Sequence, residues 1–294
     1  MSLKQSKSDR IFDAVNVCIM CLVLCVTLYP LIYVLSASIS YPEAVMRGEI
    51  VLLPKGLSLL SYSKVFENNA IWMGYINSIL YTLAGTLVNL VMTFFGAYPL
   101  SKKNLWGRNT ISIILLFTMY FGGGLIPTYL VIKNLKMIDT FWVMILPGAI
   151  ATYNLIVMRT YFSSSIPPEL FEAAEIDGSN ELQTIMNVVI PLSMPILSVI
   201  MLFYAVGHWN SYFHPMIYIT SREKQPLQVI MREIVLQNSM ADMTNASEGF
   251  LEQAMFSESI KYSTIVVASL PMLILYPFIT KHFTKGVMLG AIKG

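Results

Sequence analysis

Six long stretches without a charged side chain run through this sequence of 294 residues. Each is long enough for at least a nearly complete crossing of a bilayer, which takes about 20 apolar residues in a helix. A helix is required because backbone N–H and C=O groups in lipid must be paired within the segment. The uncharged stretches cover residues 14–42, 68–101, 109–132, 140–158, 182–221 and 262–280. The sequence therefore predicts an all-α membrane protein with six transmembrane helices.

The composition supports a membrane domain and argues against other classes of protein. Charged residues make up 12% of the chain, against about 25% in soluble domains. The net charge of +2, with no basic run interleaved with aromatics, argues against a nucleic-acid partner. Cys18 and Cys21 form a C-x-x-C pattern, but their apolar surroundings favour packed small side chains over a metal or redox site. We expect one membrane domain over residues 1–294.

The loops that join the spans differ in length and character. We place the spans at about 14–38, 73–100, 109–132, 139–160, 191–218 and 261–280. Between the fourth and fifth spans, residues 166–190 form a loop that we predict to contain two short helices. After the fifth span, the loop 219–260 includes a segment, 226–237, with the spacing of a short amphipathic helix.

Lysine and arginine near the span ends predict the orientation. They occur in the N-terminal segment, in the second loop and in the C-terminal tail, and short loops rich in these residues face the cytoplasm. An even number of spans places all three segments on one side. We therefore expect cytoplasmic termini, a cytoplasmic 166–190 loop and an external 219–260 loop. The apolar run from Ala14 to Ala37 is too long for a cleavable signal and is interpreted as the first span.

The 166–190 loop begins like a helix. Pro167 and Pro168 suit the start of a helix, where a missing N–H costs little. Glu169 and Glu172 follow near the positive end of the helix dipole, which favours negative charge. These features predict that the first helix of the loop begins at the two prolines.

The same loop then turns and enters a second helix. Ala173 and Ala174 are small, so another surface can approach closely. Asp177 and Gly178 break the helix, with the glycine free to adopt a positive φ, and Ser179 is placed to cap a second short helix. Four apolar residues share one side of that helix, and a proline then opens the fifth span: Leu182, Ile185, Met186, Val189 and Pro191.

Charge favours a protein partner for this loop. Interfacial helices usually carry Lys and Arg toward anionic lipid, but here only Arg159, at the entry to the loop, is basic. The alternative, an amphipathic hairpin lying on the headgroups, would be repelled by the inner leaflet. The acidic residues of the loop are Glu169, Glu172, Glu175, Asp177 and Glu181.

Several motifs in the chain resemble those of one transporter family. The loop carries Glu172-Ala173-Ala174, Asp177-Gly178 and Pro191, which resemble the EAA motif of ABC-importer permeases and stand, as in that family, before the fifth of six spans. It departs from the usual pattern at Ser179, Ile185 and Ile190. The tail from Gly286 to Gly294 is similar to that of maltose-type sugar permeases. Segments 121–129, 154–159, 208–212 and 226–228 resemble the subgroup associated with oligosaccharide or polysaccharide-fragment uptake, and the resemblance covers nearly the whole chain.

The resemblance implies a set of partners and roles. The chain would pair with a second homologous permease in a bacterial cytoplasmic membrane, above two copies of a cytoplasmic ATPase that bind ATP and Mg²⁺, and below an extracytoplasmic sugar-binding protein. No cofactor is expected in this chain. The tail residues Gly290, Lys293 and Gly294 would contact the ATPase pair. The residues that would couple to the ATPase are Glu169, Glu172, Ala173, Ala174, Asp177, Gly178 and Pro191.

The sequence lacks signatures of other chemistries. It contains no G-x-x-x-x-G-K-[ST] phosphate loop and no H-E-x-x-H or G-x-S-x-G hydrolase motif, so we expect a transport subunit rather than an enzyme. Ion-coupled carriers usually keep ionisable residues in the membrane, and no span has one at its centre. That argues against a secondary carrier, although backbone carbonyls can also bind Na⁺.

Uncharged polar and aromatic residues within the spans are the candidates for sugar contact, because sugars bind through hydroxyl groups and ring faces. For the glycines, close helix packing is an equally good explanation, and for the fifth-span residues an interfacial aromatic belt is the alternative. An importer of the same architecture for a peptide or phosphate is the alternative function. The pathway candidates are Tyr120, Gly122, Gly123, Gly124, Tyr153, Asn154, His208, Trp209, Asn210 and Tyr212.

Overall fold

A computed structural model describes residues 6–241 and 258–277 of the chain. The described residues form helices joined by short loops, with a π-helical segment at Ile185–Val189 and 3-10 turns at Phe141–Met144 and Arg222–Lys224. In chain order the α-helices are α1 Lys7–Ser38, α2 Pro42–Met46, α3 Leu60–Glu67, α4 Asn69–Ser101, α5 Arg108–Tyr120, α6 Leu125–Asn134, α7 Thr152–Ser165, α8 Pro168–Ile176, α9 Glu181–Thr184, α10 Ile190–Trp209, α11 Phe213–Tyr218, α12 Leu227–Ala241 and α13 Glu258–Pro277.

Four continuous helical stretches in the described residues are long and apolar enough to cross a membrane. They are α1, α4, the run from Glu181 to Trp209, and α13, and the bent pair of α5 and α6 adds a fifth if it is one span. The predicted all-helical membrane architecture is confirmed. The amphipathic helix predicted at 226–237 is also present, as α12.

The third predicted span, 109–132, is broken in the middle. The axes of α5 and α6 are bent by 113°, and the break begins at Phe121, whose backbone is extended. Gly124 ends the break with a φ of +83°, a conformation that favours glycine because a Cβ would be strained there. The glycine run therefore divides this segment into two short helices.

The fourth predicted span, 139–160, is not one continuous helix. A short 3-10 turn at Phe141–Met144 is followed by non-helical backbone, and α7 begins only at Thr152 and runs for 14 residues. Pro147 and Gly148 lie in the gap, where the proline lacks an N–H and the glycine is a poor helix former. Local sequence chemistry thus overrides the apolar character of this stretch.

The chain divides into two compact units. Of the described residues, the first contains 6–71, 231–241 and 258–269, and the second contains 72–230 and 270–277. The single domain over residues 1–294 stays a prediction.

Small hydroxyl side chains join the helices of the first unit. The Tyr62 hydroxyl donates to Ser38 Oγ at 2.8 Å, and Ser263 Oγ donates to the Ser38 carbonyl at 3.1 Å. Ser61 and Ser259 share a hydrogen bond of 2.5 Å. Short polar side chains allow helix backbones to approach closely and supply hydrogen bonds where lipid offers none. The end of α1, α3 and the start of α13 are therefore held together by polar contacts.

The second unit has an apolar core between α4, α7 and α10. Met158 and Ile200 are fully buried in it, and Phe94 packs edge-to-face on Phe162 with ring centroids 5.4 Å apart. The same core includes Val189 at the end of the π-helical segment. It therefore fixes the helices on either side of the 166–190 loop.

An acidic clamp fixes one edge of the second unit. Asp139 accepts hydrogen bonds from the backbone N–H of Thr220 at 3.1 Å and Ser221 at 2.9 Å, and pairs with Lys224 Nζ at 2.9 Å. The Ser221 hydroxyl donates to the same carboxylate. These donors, Ser221 first, hold the pKa of Asp139 well below its usual range, because each favours the charged form.

Two side chains of α4 reinforce this clamp from the other side. The Asn77 amide donates to the carbonyls of Glu223 at 2.7 Å and Gln225 at 3.1 Å. The Tyr81 hydroxyl donates to the Lys224 carbonyl at 2.9 Å. The segment after α11 is therefore held both by Asp139 and by two side chains of α4.

Asp139→Asn should lower the free energy of unfolding by about 2 kcal/mol, the scale of hydrogen bonds to a charged group. The pKa of Asp139 is depressed in the folded state, so its stabilisation is present above about pH 4 and is lost as pH falls through the folded pKa. Between about pH 5 and 3 the wild type should lose more stability than the variant. Thermal unfolding in detergent across this range measures both effects.

Glu43→Gln is the matched control, because that carboxylate is exposed and, among the residues described, pairs only with Arg47 in an (i, i+4) contact. Such a pair contributes little to stability. Equal losses in the two variants would contradict the role given to the clamp.

Candidate functional site

The first helix of the 166–190 hairpin begins where the sequence predicts. Pro167 is the N-cap of α8 and Pro168 occupies the first turn, followed by Glu169 near the positive end of the dipole. Ala174 is buried, whereas Ala173 is exposed on the outer side of the helix. The side of the helix that carries Ala174 is therefore packed against the protein, and the side that carries the glutamates is exposed.

Gly178 ends α8 in a Schellman motif. Its φ is +73°, its N–H donates to the Glu175 carbonyl at 3.0 Å, and the Ser179 N–H donates to the Ala174 carbonyl at 2.9 Å. This is the pattern that satisfies the last carbonyls of a helix when a glycine adopts the left-handed conformation. Asp177 is the C-cap. The predicted break at Asp177-Gly178 is confirmed.

The cap of the second helix is Asn180, and the prediction of Ser179 is wrong. Asn180 Oδ1 accepts from the Gln183 N–H, and Gln183 Oε1 accepts from the Asn180 N–H, both at 2.9 Å. This reciprocal capping box satisfies two donors at once. Ser179 lies one residue before the cap position, where its N–H closes the Schellman turn of the first helix.

The second helix does not stop before Pro191. α9, the π-helical segment and α10 form one helix from Glu181 to Trp209, and the Ile190 N–H donates to the Ile185 carbonyl five residues back. A proline inside a helix lacks a donor and crowds the carbonyl four residues earlier. The π-helical turn just before Pro191 accommodates this, so the predicted separate short helix is wrong.

The predicted apolar stripe of the second helix divides into two pairs. Ile185 and Val189 are buried in the core of the second unit. Leu182 and Met186 are 68% and 64% exposed. Exposed large apolar side chains beside an acidic helix favour a protein surface as the neighbour.

A contact network that the sequence analysis missed holds the hairpin against α4. The Tyr98 hydroxyl donates to Glu181 Oε1 at 2.7 Å. These residues, with Lys102 and Phe171, line a cleft of about 630 Å³. No short-range pattern could have predicted them, because Tyr98 and Glu181 are 83 positions apart.

The pathway candidates on the third and fourth predicted spans lie at two places. Tyr120 ends α5 and is 76% exposed, and Gly122–Gly124 form the break before α6. Tyr153 and Asn154 lie in the first turn of α7, with Tyr153 exposed and Asn154 buried. Tyr120 and the three glycines are exposed. Residues that line a transport pathway must be exposed, but residues that contact lipid are exposed as well.

The candidates on the fifth span lie at a second break. Trp209 is the last residue of α10 and is buried against the Tyr75 ring, with centroids 5.9 Å apart. Asn210 is the C-cap, and Tyr212 precedes α11. His208 Nε2 lies 3.1 Å from Asn89 Nδ2 on α4. The tail candidates Gly290, Lys293 and Gly294 lie outside the described residues.

A buried polar stripe on α4 was also missed by the sequence analysis. The stripe consists of Thr82, Thr86, Asn89 and Thr93, which are all buried. These polar residues recur every three or four positions within an apolar helix, and this spacing is the signal that could have found them. Asn89 contacts His208, and Thr93 Oγ1 lies 2.6 Å from the Tyr204 hydroxyl. Three atoms of the stripe have no hydrogen-bond partner in the described residues: Thr82 Oγ1, Thr86 Oγ1 and Asn89 Oδ1.

Gly178→Ala should destabilise the hairpin locally. Nothing lies within 4 Å of a Cβ at this position, so the cost is the left-handed backbone alone, about 1 kcal/mol. Hydrogen exchange of the amides in α8 and α9 should become about fivefold faster.

Gly207→Ala is the control, since that position in α10 also has free space but no positive φ. It should leave exchange in the hairpin unchanged. Equal acceleration by both substitutions would contradict the role of Gly178.

Comparisons with known proteins agree with these features. The profile described as "Binding-protein-dependent transport system inner membrane component" matches residues 69–289. Protein LplC of Bacillus subtilis is 38% identical over 100% of this chain and 98% of its own length. The polygalacturonan/rhamnogalacturonan transport system permease protein YtcP of the same organism is 38% identical over 97% of this chain and 99% of its own.

One solved structure is also similar over most of the chain. It is a chain of a bacterial ABC transporter involved in the import of the acidic polysaccharide alginate, with a TM-score of 0.87 and 36% identity, covering 96% of this chain and all of that chain. The helical architecture, the hairpin before α10 and these matches lead to one conclusion. The chain belongs to the family of inner-membrane components of binding-protein-dependent transport systems.

Proposed function

We propose that this chain is the membrane subunit of an ATP-driven, binding-protein-dependent importer of oligosaccharides, and forms half of the translocation pathway. The observation that carries the proposal is the 166–190 hairpin, whose acidic face is exposed while its second helix continues into an apolar helix long enough to cross a membrane. A rigid helix displaces its far end when its near end is moved. The hairpin is therefore suited to couple an external motor to the spans.

The exposed surface of the hairpin supports docking to an ATPase. It presents the carboxylates of Glu169 and Glu172 together with Ile176, Leu182 and Met186, the first of these three being 86% exposed. Apolar anchors surrounded by charge are typical of specific protein interfaces. Asp177 and Gly178 shape the turn between its helices, and Pro191 marks the passage into α10.

The family and the predicted orientation suggest the remaining parts of the assembly. The Lys and Arg distribution supports a cytoplasmic hairpin and cytoplasmic termini, with six crossings in the complete subunit. Two ATPase copies, which bind ATP and Mg²⁺, would lie below this chain and a second homologous permease. The tail residues Gly290, Lys293 and Gly294 would contact the ATPases, and an extracytoplasmic binding protein would deliver the sugar.

Oligosaccharide fragments of polysaccharides are the proposed substrates. Relatives at 38% and 36% identity bear names that refer to polygalacturonan, rhamnogalacturonan and alginate, so oligosaccharides containing uronic acids are the first to test. The uncharged candidates Tyr153, Asn154 and His208, with the α4 stripe, offer hydrogen bonds to hydroxyl groups. Peptide or phosphate uptake is the competing function.

Uptake of labelled oligosaccharides into proteoliposomes that contain the whole complex tests the proposal. Wild type should import in the presence of ATP, whereas Glu172→Ala and Gly178→Pro should lower uptake by about tenfold or more while the complex still binds the outer protein. Glu43→Ala, which removes an exposed carboxylate of α2, should import normally. Wild-type uptake by both hairpin variants, or uptake of peptide or phosphate only, would overturn the proposal.

Thr86→Val tests the polar stripe by separating stability from transport. Removing a buried hydroxyl that has no hydrogen-bond partner in the described part of the chain should stabilise the folded protein by about 1 kcal/mol. Uptake should fall, because the proposed role of this group is to meet the sugar during transport. Thr93→Val should instead destabilise the protein, because it removes one of the two hydrogen-bond partners of the Tyr204 hydroxyl. Normal uptake by Thr86→Val would exclude Thr86 from the pathway.

A further inference from the structure

Lys102 lies at the junction of α4 with both arms of the hairpin. It follows the last residue of α4, Ser101. Its ammonium group lies 3.8 Å from the ring centroid of Phe171 and 4.9 Å from that of Tyr98, and 3.6 Å from Glu181 Oε1. One cation therefore contacts two aromatic faces and a carboxylate.

The partners of this cation belong to different elements. Phe171 lies in α8, the first arm, and Glu181 opens α9, the second arm. Tyr98 belongs to α4 and donates to the same Glu181 oxygen at 2.7 Å. A lysine over an aromatic face is attracted by the ring quadrupole, and a charge-assisted hydrogen bond is stronger than a neutral one. Lys102 is thus a shared partner of α8 and α9 at the end of α4.

The surroundings make these few contacts important. The cleft of about 630 Å³ separates this side of the hairpin from the end of α4, and Glu175 and Ser179 line it beside the four network residues. Packing does not fill this space, so polar and cation–π contacts cross it. Ile185 and Val189 bind the second arm to the apolar core, and Phe171 of α8 packs against the same core. Lys102 adds a charged contact between the end of α4 and both arms.

We propose that Lys102 is a positioning residue that couples movement of α8 to α4. The inference rests on the proposed function, in which an ATPase moves the hairpin. When α8 is displaced, the cation held between Phe171 and Glu181 carries the end of α4 with it. Without the charge, Glu181 keeps its bond to Tyr98 and Phe171 keeps its packing on the core, but the cation no longer joins the two arms to the end of α4. Movement of the first arm would then be passed less completely to that helix.

Lys102→Met tests the coupling, because it keeps the length of the side chain and removes the charge. In proteoliposomes containing the whole complex, ATP hydrolysis should continue while solute imported per ATP hydrolysed falls by about tenfold. Lys102→Arg should restore most of the ratio, since a guanidinium also stacks on rings and pairs with carboxylates. Lys103→Met, which removes the neighbouring exposed cation, should leave the ratio unchanged.

The outcomes separate the two proposals. A wild-type complex that imports no oligosaccharide with ATP refutes the proposed function itself. A wild type that imports, with an unchanged ratio in Lys102→Met or an equal fall in Lys103→Met, refutes only the role of Lys102. A merely structural role would lower the amount of assembled complex and would not change the ratio per assembled complex.

A distance measurement covers the case in which Lys102→Met does not assemble. The full chain is placed in nanodiscs with Cys18, Cys21 and Cys25 replaced by Ala. Spin labels are attached at Asn104→Cys and Glu172→Cys. Glu172 is labelled in place of Phe171, because the Phe171 ring contacts Lys102. Lys102→Met should broaden the distance distribution between the two labels, and Lys103→Met should not. A distribution of unchanged width in Lys102→Met overturns the proposal.

Discussion

The absence of water in the hydrocarbon core of a bilayer is the constraint on which the rest of this structure depends. Backbone N–H and C=O groups must be paired within each crossing segment. The long apolar segments in the described residues are therefore mainly helical. Each departure from a helix therefore needs a local cause. The break at Phe121 has a glycine run, and the gap before α7 contains Pro147 and Gly148.

Pairing of backbone groups also shapes the hairpin, which lies outside the spans. Its turn leaves few unpaired backbone groups, since a Schellman motif at Gly178 closes the first helix and an Asn180 capping box opens the second. The π-helical turn lets the helix continue through Pro191. Rigid at both ends and continuous with a long apolar helix, the hairpin can transmit displacement instead of absorbing it. Its exposed acidic face is then available for a partner.

Polar groups inside the second unit fall into two kinds. Those with partners, such as the Asp139 clamp and the Thr93–Tyr204 pair, fix the elements that they join. Those without partners, such as the hydroxyls of Thr82 and Thr86, are unfavourable in a closed apolar setting. A transport protein has a physical reason to keep the second kind, because a pathway that carries sugars needs hydrogen-bonding groups.

The sequence by itself determined the helical membrane class, the start of α8 at Pro167 and Pro168, the turn at Gly178 and the amphipathic α12, because these follow from local composition and backbone chemistry. It did not determine the cap at Asn180, because the Schellman turn extends through Ser179 and the second helix begins one residue later than predicted. Only the tertiary structure decided which apolar residues of the second helix are buried, and that Lys102, Phe171 and Glu181 meet. Such contacts join residues far apart in sequence, and their geometry depends on how whole helices pack.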